Sequence, residues 1–400
     1  MVVKKLDGNV KETLDAGFAQ TFGGMPQRYF SAPGRTEIGG NHTDHQRGWV
    51  LAAAVDLDMV AAVSCNGTDV IRVMSQGYPL CAVSLRELTP VEEEKNTTAA
   101  LIRGVVAKFV ELGCQVSGFD AYCCSTVLPG SGLSSSAAFE VLIGTILNHL
   151  FFAEHLQPAQ IAAIGQYAEN IFFGKPCGLM DQTASAVGNL VAIDFIDPAS
   201  PIIRQLDFDF STCGYCLCII DSGADHADLT DEYAAVPGEM WSVAQYFGKE
   251  VLRDVEETAF YQALPALREA YGDRAVLRCI HFFRENARVV EQIDALEQGD
   301  FEAFLKLVTE SGRSSYMYLQ NVIPAGEKRQ QAVAVALALC DRLLDGRGAF
   351  RVHGGGFAGT VQAYVPIDLL ESFTREIQKV LGKGACHVLS IRPYGGVELE

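Results

Sequence analysis

The chain reads as an α+β protein built in two lobes, and three observations predict it. Its 400 residues exceed what one hydrophobic core usually serves, so two domains flanking a cleft are expected. Strand-like and helix-like segments come in irregular blocks, which argues against a regular strand–helix alternation and a doubly wound sheet. Turn formers at Asp197-Pro198 and Ser200-Pro201 interrupt the pattern mid-chain and divide it into lobes of 1–200 and 201–400.

In the first lobe, residues 50–63 are rich in Ala and Val and read as a strand. A second strand, 119–127, runs into a serine-rich loop. Beyond the loop, Leu142, Ile143, Ile146, Leu147 and Leu150 recur along one helical face. Pro158 opens a helix that carries Glu169 and closes near Gly174, and a short helix follows with Asp181 in its first turn. Residues 190–195 alternate like a further strand. The second lobe begins with a strand at 215–221 and continues through several amphipathic helices. It closes with a glycine cluster, a strand at 360–365, a helix and a last strand at 386–391.

Composition narrows the function. With 49 acidic against 31 basic residues and a formal charge of −18, non-specific binding to nucleic acid or acidic membranes is excluded. A bound anion must be held by local amides, a few placed cations or a metal ion. No apolar run reaches transmembrane length and the start Met1-Val2-Val3-Lys4-Lys5 lacks a signal-peptide pattern, so a cytoplasmic protein is expected. The 12 cysteines then read as reduced, and the lone pair Cys213 and Cys216 lacks the second pair that a zinc site requires.

Four segments carry the chemistry. Ser131, Gly132, Leu133 and the serines Ser134, Ser135 and Ser136 run directly into a helix. Unpaired first-turn amides, hydroxyls and the positive end of the helix dipole suit a phosphate there, although a serine at that place also serves as an ordinary cap. Between Gly34 and His45, the side chains of Arg35, Glu37, Asn41, His42 and Asp44 crowd among glycines, a set suited to several sugar hydroxyls. Asp181 sits at a turn-to-helix junction, where a carboxylate usually complements the dipole and where an arginine such as Arg35 could hold it ionised. The run Gly354-Gly355-Gly356-Phe357-Ala358-Gly359 fits G-x-G-x-x-G literally. A strand follows it where a dinucleotide fold needs a helix, which disfavours an oxidoreductase. No Gly-Lys pair is followed by Ser or Thr, so a P-loop is absent.

Taken in this order, the segments resemble the GHMP kinases and, within them, the galactokinases, over roughly residues 18–360. The stretch from Gly34-Arg35 to Asp44 is similar to the galactokinase signature loop, 129–138 to the ATP loop, 177–182 to the segment bearing the catalytic aspartate, and 354–359 to the third motif. The resemblance implies a GHMP-kinase fold with its active site between the lobes, and transfer of phosphate from MgATP to the anomeric hydroxyl of galactose. It implies Asp181 and Arg35 as catalytic residues and Asn41, His42, Asp44, Gly178 and Tyr233 as sugar contacts. Gly130, Ser131, Gly132, Leu133, Ser134, Ser135 and Ser136 would wrap the ATP phosphates, with Ser135 and Glu169 holding Mg²⁺. The partner is a small-molecule sugar, with no nucleic acid or membrane, and a monomer is favoured.

Departures from the family pattern leave alternatives. Asn41 stands where galactokinases carry a Glu that reaches the C6 hydroxyl, and Asp44-His45-Gln46 resembles the plant galacturonokinases. Gly312 and His353 replace the usual His and Thr. Galacturonate or another galacto-configured sugar is therefore the rival substrate, and a non-catalytic sugar and ATP sensor the rival class. On this reading Asn41→Glu is expected to improve galactose use.

Overall fold

The computed structural model describes residues 5–127, 132–224 and 229–400. The first half runs α1 (Gly8–Phe22), β1 (Arg28–Gly39), β2 (Trp49–Cys65), β3 (Val70–Ser75), β4 (Cys81–Ser84), α2 (Thr98–Glu111), β5 (Phe119–Ser125), α3 (Ser135–Phe151), α4 (Pro158–Tyr167), α5 (Met180–Val187), β6 (Leu190–Asp194) and β7 (Ile202–Leu206). The second runs β8 (Tyr215–Asp221), α6 (Thr230–Tyr246), α7 (Glu257–Gln262), α8 (Leu264–Glu297), α9 (Phe301–Ser314), α10 (Ala332–Leu344), β9 (Ala349–Val352), β10 (Thr360–Pro366), α11 (Leu370–Leu381), β11 (Cys386–Leu389) and β12 (Val397–Leu399). None of the described helices is long and apolar enough to cross a membrane.

Two sheets form. One orders its main path β12-β1-β2-β5-β3-β4, with β6 and β7 continuing from β2, and the other orders β11-β8-β10-β9. The first sheet draws on both sides of residue 200, since β7 and the C-terminal β12 both pair within it. A cut at residue 200 thus assigns two of its strands to the opposite lobe. Pairing explains this: β7 lies antiparallel to β6, from Leu190 opposite Leu206 to Asp194 opposite Ile202, so the turn at Asp197-Pro198 only connects two neighbouring strands.

Strand β2 shows how alternation divides the cores. Val50 and Ala52 join the core beneath α2, α3 and α4, whereas Leu51, Ala53 and Val55 face a core shared with Leu217, Ile219, Phe304 and Tyr364 of the second lobe. The alanines keep both faces thin enough for helices on one side and a second lobe on the other. In β1 the register shifts between Pro33 and Arg35. Upstream, Phe30 and Ala32 pack under the helices; downstream, Ile38 joins the interlobe core. Such an irregularity re-aims the side chains that follow it. Arg35 is thereby turned toward α5.

Candidate active site

Gly34, at the irregularity, lets the serine loop come close. A Cβ there would lie 3.0 Å from the Leu133 carbonyl oxygen, and the Arg35 amide donates to that oxygen at 3.1 Å. The Arg35 side chain, 10% exposed, reaches α5. Its Nε donates to Asp181 Oδ1 and its NH2 group to Oδ2, both at 2.7 Å. Its remaining nitrogen donates to the Gly132 carbonyl. Burial pushes the Asp181 carboxyl up, but the charge and two hydrogen bonds of Arg35, with a further bond from Ser134, outweigh it and leave Asp181 below its ordinary range.

The serine at the start of α3 does not cap its helix. Ser134 has φ 57° and ψ 68°, the left-handed region, uncommon for a non-glycine residue. Its hydroxyl instead donates to Asp181 Oδ2 at 2.5 Å. The first intrahelical bond runs from the Ala138 amide to the Ser134 carbonyl, so the preceding amides lie outside the helix ladder. Gly132 and Leu133 lie beside Arg35, and Gly130 and Ser131 fall outside the described residues.

The glutamate expected to hold a cation sits behind this loop. Glu169, 3% exposed, is in a π-helical continuation of α4 and accepts from the Ser136 hydroxyl at 3.1 Å. The serine next to Glu169 is thus Ser136 and not Ser135, because the left-handed Ser134 sets the phase in which α3 begins. Lys175 Nζ lies 3.6 Å from the same carboxylate oxygen. Glu169 and Ser136 offer hard oxygen donors suited to Mg²⁺. Among the described residues no three His, Cys, Asp or Glu side chains could hold a metal by themselves. Ser135 instead lines, with Ser136, Phe139, Tyr78, Thr98 and Leu101, a cavity of 330 Å³ beside the helix start. Apart from the serines and Phe139, its lining comes from β2, β3, β4, β5, α2 and adjoining loops, which carry no motif.

The proposed sugar contacts approach from the other side of Asp181. Asp44 Oδ2 would lie 2.6 Å from a Cβ placed on Gly178, so only glycine leaves the carboxylate in place. Burial raises the Asp44 carboxyl above its ordinary range despite nearby His42. Burial also lowers His42, whose Nε2 meets the Gly355 carbonyl at 3.0 Å. The neutral ring then carries the proton on Nε2 and donates it. Tyr233, on α6, donates to the Gly356 carbonyl at 2.8 Å and crosses the Phe357 ring edge-on. The glycine cluster therefore supports His42 and Tyr233, and a side chain on Gly355 would strike Tyr233 at 2.6 Å.

Asn41 differs from its expected place. It is fully buried, and its Nδ2 donates to Glu37 Oε1 at 3.1 Å and to the Gly354 carbonyl at 2.6 Å. Its Oδ1 accepts from Asn321 at 2.9 Å and Ser315 at 3.2 Å. Both ends of the amide are therefore occupied by protein. The residues that surround it are also paired: Glu37 with Arg351, and Glu285 with Arg288, Ser311 and the Gly40 amide. His353 joins the lobes, meeting Thr36 at 3.0 Å through Nε2 and Thr360 at 2.9 Å through Nδ1.

A helix-start loop of serines and an ion-paired aspartate, set where two α+β lobes share a core, match a GHMP-type phosphotransferase architecture. Comparison with known proteins agrees with it. The galactokinase galactose-binding signature matches residues 16–65, and the GHMP kinase N-terminal domain matches residues 100–189. A galactokinase of Streptomyces coelicolor is 32% identical over 373 residues, 92% of each chain. The chain belongs to the galactokinase family. Among solved structures, Lactococcus lactis galactokinase complexed with galactose superposes with a TM-score of 0.82 at 22% identity, covering 98% of this chain and 100% of that one. Methanococcus jannaschii mevalonate kinase superposes with a TM-score of 0.65 at 14% identity, covering 92% and 99%.

Proposed function

We propose that this chain is a sugar 1-kinase that transfers the γ-phosphoryl group of ATP to the anomeric hydroxyl of galactose. The observation that carries the reading is Asp181 held ionised by Arg35 directly beneath the serine loop. The O1 oxygen attacks the γ-phosphorus, the bond to the bridging oxygen breaks, ADP leaves, and the O1 proton passes to Asp181. Arg35 supplies fixed positive charge beside the moving group, so the site works by positioning and charge neutralisation. Asp44, His42, Gly178 and Tyr233 frame the sugar, and the cavity next to Ser135 takes the nucleoside. Mg²⁺, when bound, neutralises phosphate charge, and Glu169 with Ser136 would hold it. Such an enzyme needs only ATP and a small sugar, which suits a cytoplasmic monomer.

Turnover of ATP on galactose, galacturonate, N-acetylgalactosamine and arabinose tests the reading. Galactose is expected to be the best acceptor. Activity confined to galacturonate overturns the choice of sugar, and binding of sugar and ATP without ADP formation overturns the enzyme.

A further inference from the structure

Behind Glu169 lies a buried polar cluster that the reaction above does not use. The side-chain amide of Gln182, fully buried, donates to Glu169 Oε2 at 2.9 Å and to Glu140 Oε2 at 2.9 Å. Glu140 comes from α3 and is 1% exposed. Gly165 of α4 makes room for it, since a Cβ there would lie 3.0 Å from Glu140 Oε2 and 3.2 Å from Gln182 Cγ. Glu140 Oε1 and Gln182 Oε1 are buried with no hydrogen-bond partner in the structure. An apolar set of this size would pack the three helices without leaving acceptors unsatisfied, so stability alone does not account for the cluster.

The arrangement divides the Glu169 carboxylate. Its Oε2 faces inward to Gln182, while its Oε1 faces Ser136 and Lys175. Gln182 also follows Asp181 directly in α5. We propose that Gln182, anchored by Glu140, is a positioning residue that fixes the Glu169 carboxylate with one oxygen presented to the nucleotide-bound cation. The inference rests on the kinase reading, in which Glu169 and Ser136 hold Mg²⁺. Groups that orient a metal-binding carboxylate typically change cation affinity about 10- to 100-fold when removed.

The test uses Mn²⁺ as the probe, its binding to the full chain followed by electron paramagnetic resonance with a non-hydrolysable ATP analogue present. Native protein, Gln182→Met, Glu140→Leu and Glu140→Gln are compared, with thermal midpoints and the KM for galactose measured alongside. Gln182→Met and Glu140→Leu are expected to weaken Mn²⁺ binding about 10- to 100-fold while the galactose KM stays within twofold. Glu140→Gln keeps an acceptor for the Gln182 amide and is expected to restore near-native Mn²⁺ affinity. A folded Gln182→Met protein with native Mn²⁺ affinity overturns the inference and leaves the kinase reading standing. So does Glu140→Gln binding as weakly as Glu140→Leu, a comparison that holds even if Gln182→Met fails to fold. Native protein that binds no Mn²⁺ beside the analogue overturns the cation site itself, and the inference with it.

Discussion

Asp181→Asn is the substitution that most directly challenges the active-site reading. The exchange preserves volume and removes one charge. Arg35 then faces an amide, and either orientation of that amide sets an N–H against one of the two guanidinium donors now satisfied at 2.7 Å. Breaking a buried ion pair from one side costs about 3–5 kcal/mol. The Asp181 side chain keeps 26% exposure, so water softens the loss, and about 2–3 kcal/mol of stability is expected to go. Turnover should fall much further, because the group proposed to receive and orient the O1 proton is lost, an effect of about 10²–10⁴. Nucleotide affinity should change only a few-fold, since Ser134 can accept from the new amide and the loop amides are untouched. Steady-state kinetics, nucleotide titration and thermal melting separate these effects. A well-folded Asp181→Asn protein with turnover within tenfold of native, or one whose nucleotide binding falls in step with turnover, refutes the reasoning. A second exchange, Arg35→Met, added to Asp181→Asn should recover part of the stability, because it removes the stranded guanidinium.

Three further predictions concern the surroundings of this pair. His281 is fully buried between Ser314 and the Asn41 carbonyl, and burial lowers it from 6.5 to about 4. The unfolded chain therefore binds a proton that the folded one refuses, so stability falls as pH drops from 6.5 toward 4, by at most about 3 kcal/mol; melting of His281→Phe should lose that slope. Asn41→Glu should destabilise the fold by about 3–5 kcal/mol without improving galactose use, because it sets a second carboxylate against Glu37 and removes the donor to Gly354; denaturant titration with galactose kinetics checks both halves. Gly178→Ala puts a methyl 2.6 Å from Asp44 Oδ2 and should raise the galactose KM about tenfold or more, roughly 1.4 kcal/mol, with the melting temperature nearly unchanged.

What the chain discloses by its order alone follows from range. The strand at 50–63, the helix beyond the serines and the short helix bearing Asp181 are local patterns, and all form near their expected bounds. Arg35 and Asp181 are 146 residues apart, yet their pairing is legible, because a buried carboxylate needs a cation and the signature loop supplies one. Less legible is anything set by phase. Which serine meets Glu169 depends on Ser134 adopting a left-handed backbone, and composition does not encode that choice. Strands β7 and β12 cross the apparent boundary through pairings with β6 and β1 that no local pattern announces.

Asn41 shows the same limit at the level of a single amide. A sequence displays a polar side chain in a loop of sugar-binding type and invites a ligand contact. An asparagine has two donors and two lone pairs, and here protein groups from β1, the glycine cluster and the segment following α9 take them. Each of those partners is itself inward-facing, so none is visible as a neighbour until the lobes are assembled. A carboxylate at position 41 would set a second negative charge about 3 Å from that of Glu37. Exchanging Asn41 is therefore expected to perturb the frame that aligns Asp44, His42 and Tyr233, the residues proposed to frame the sugar.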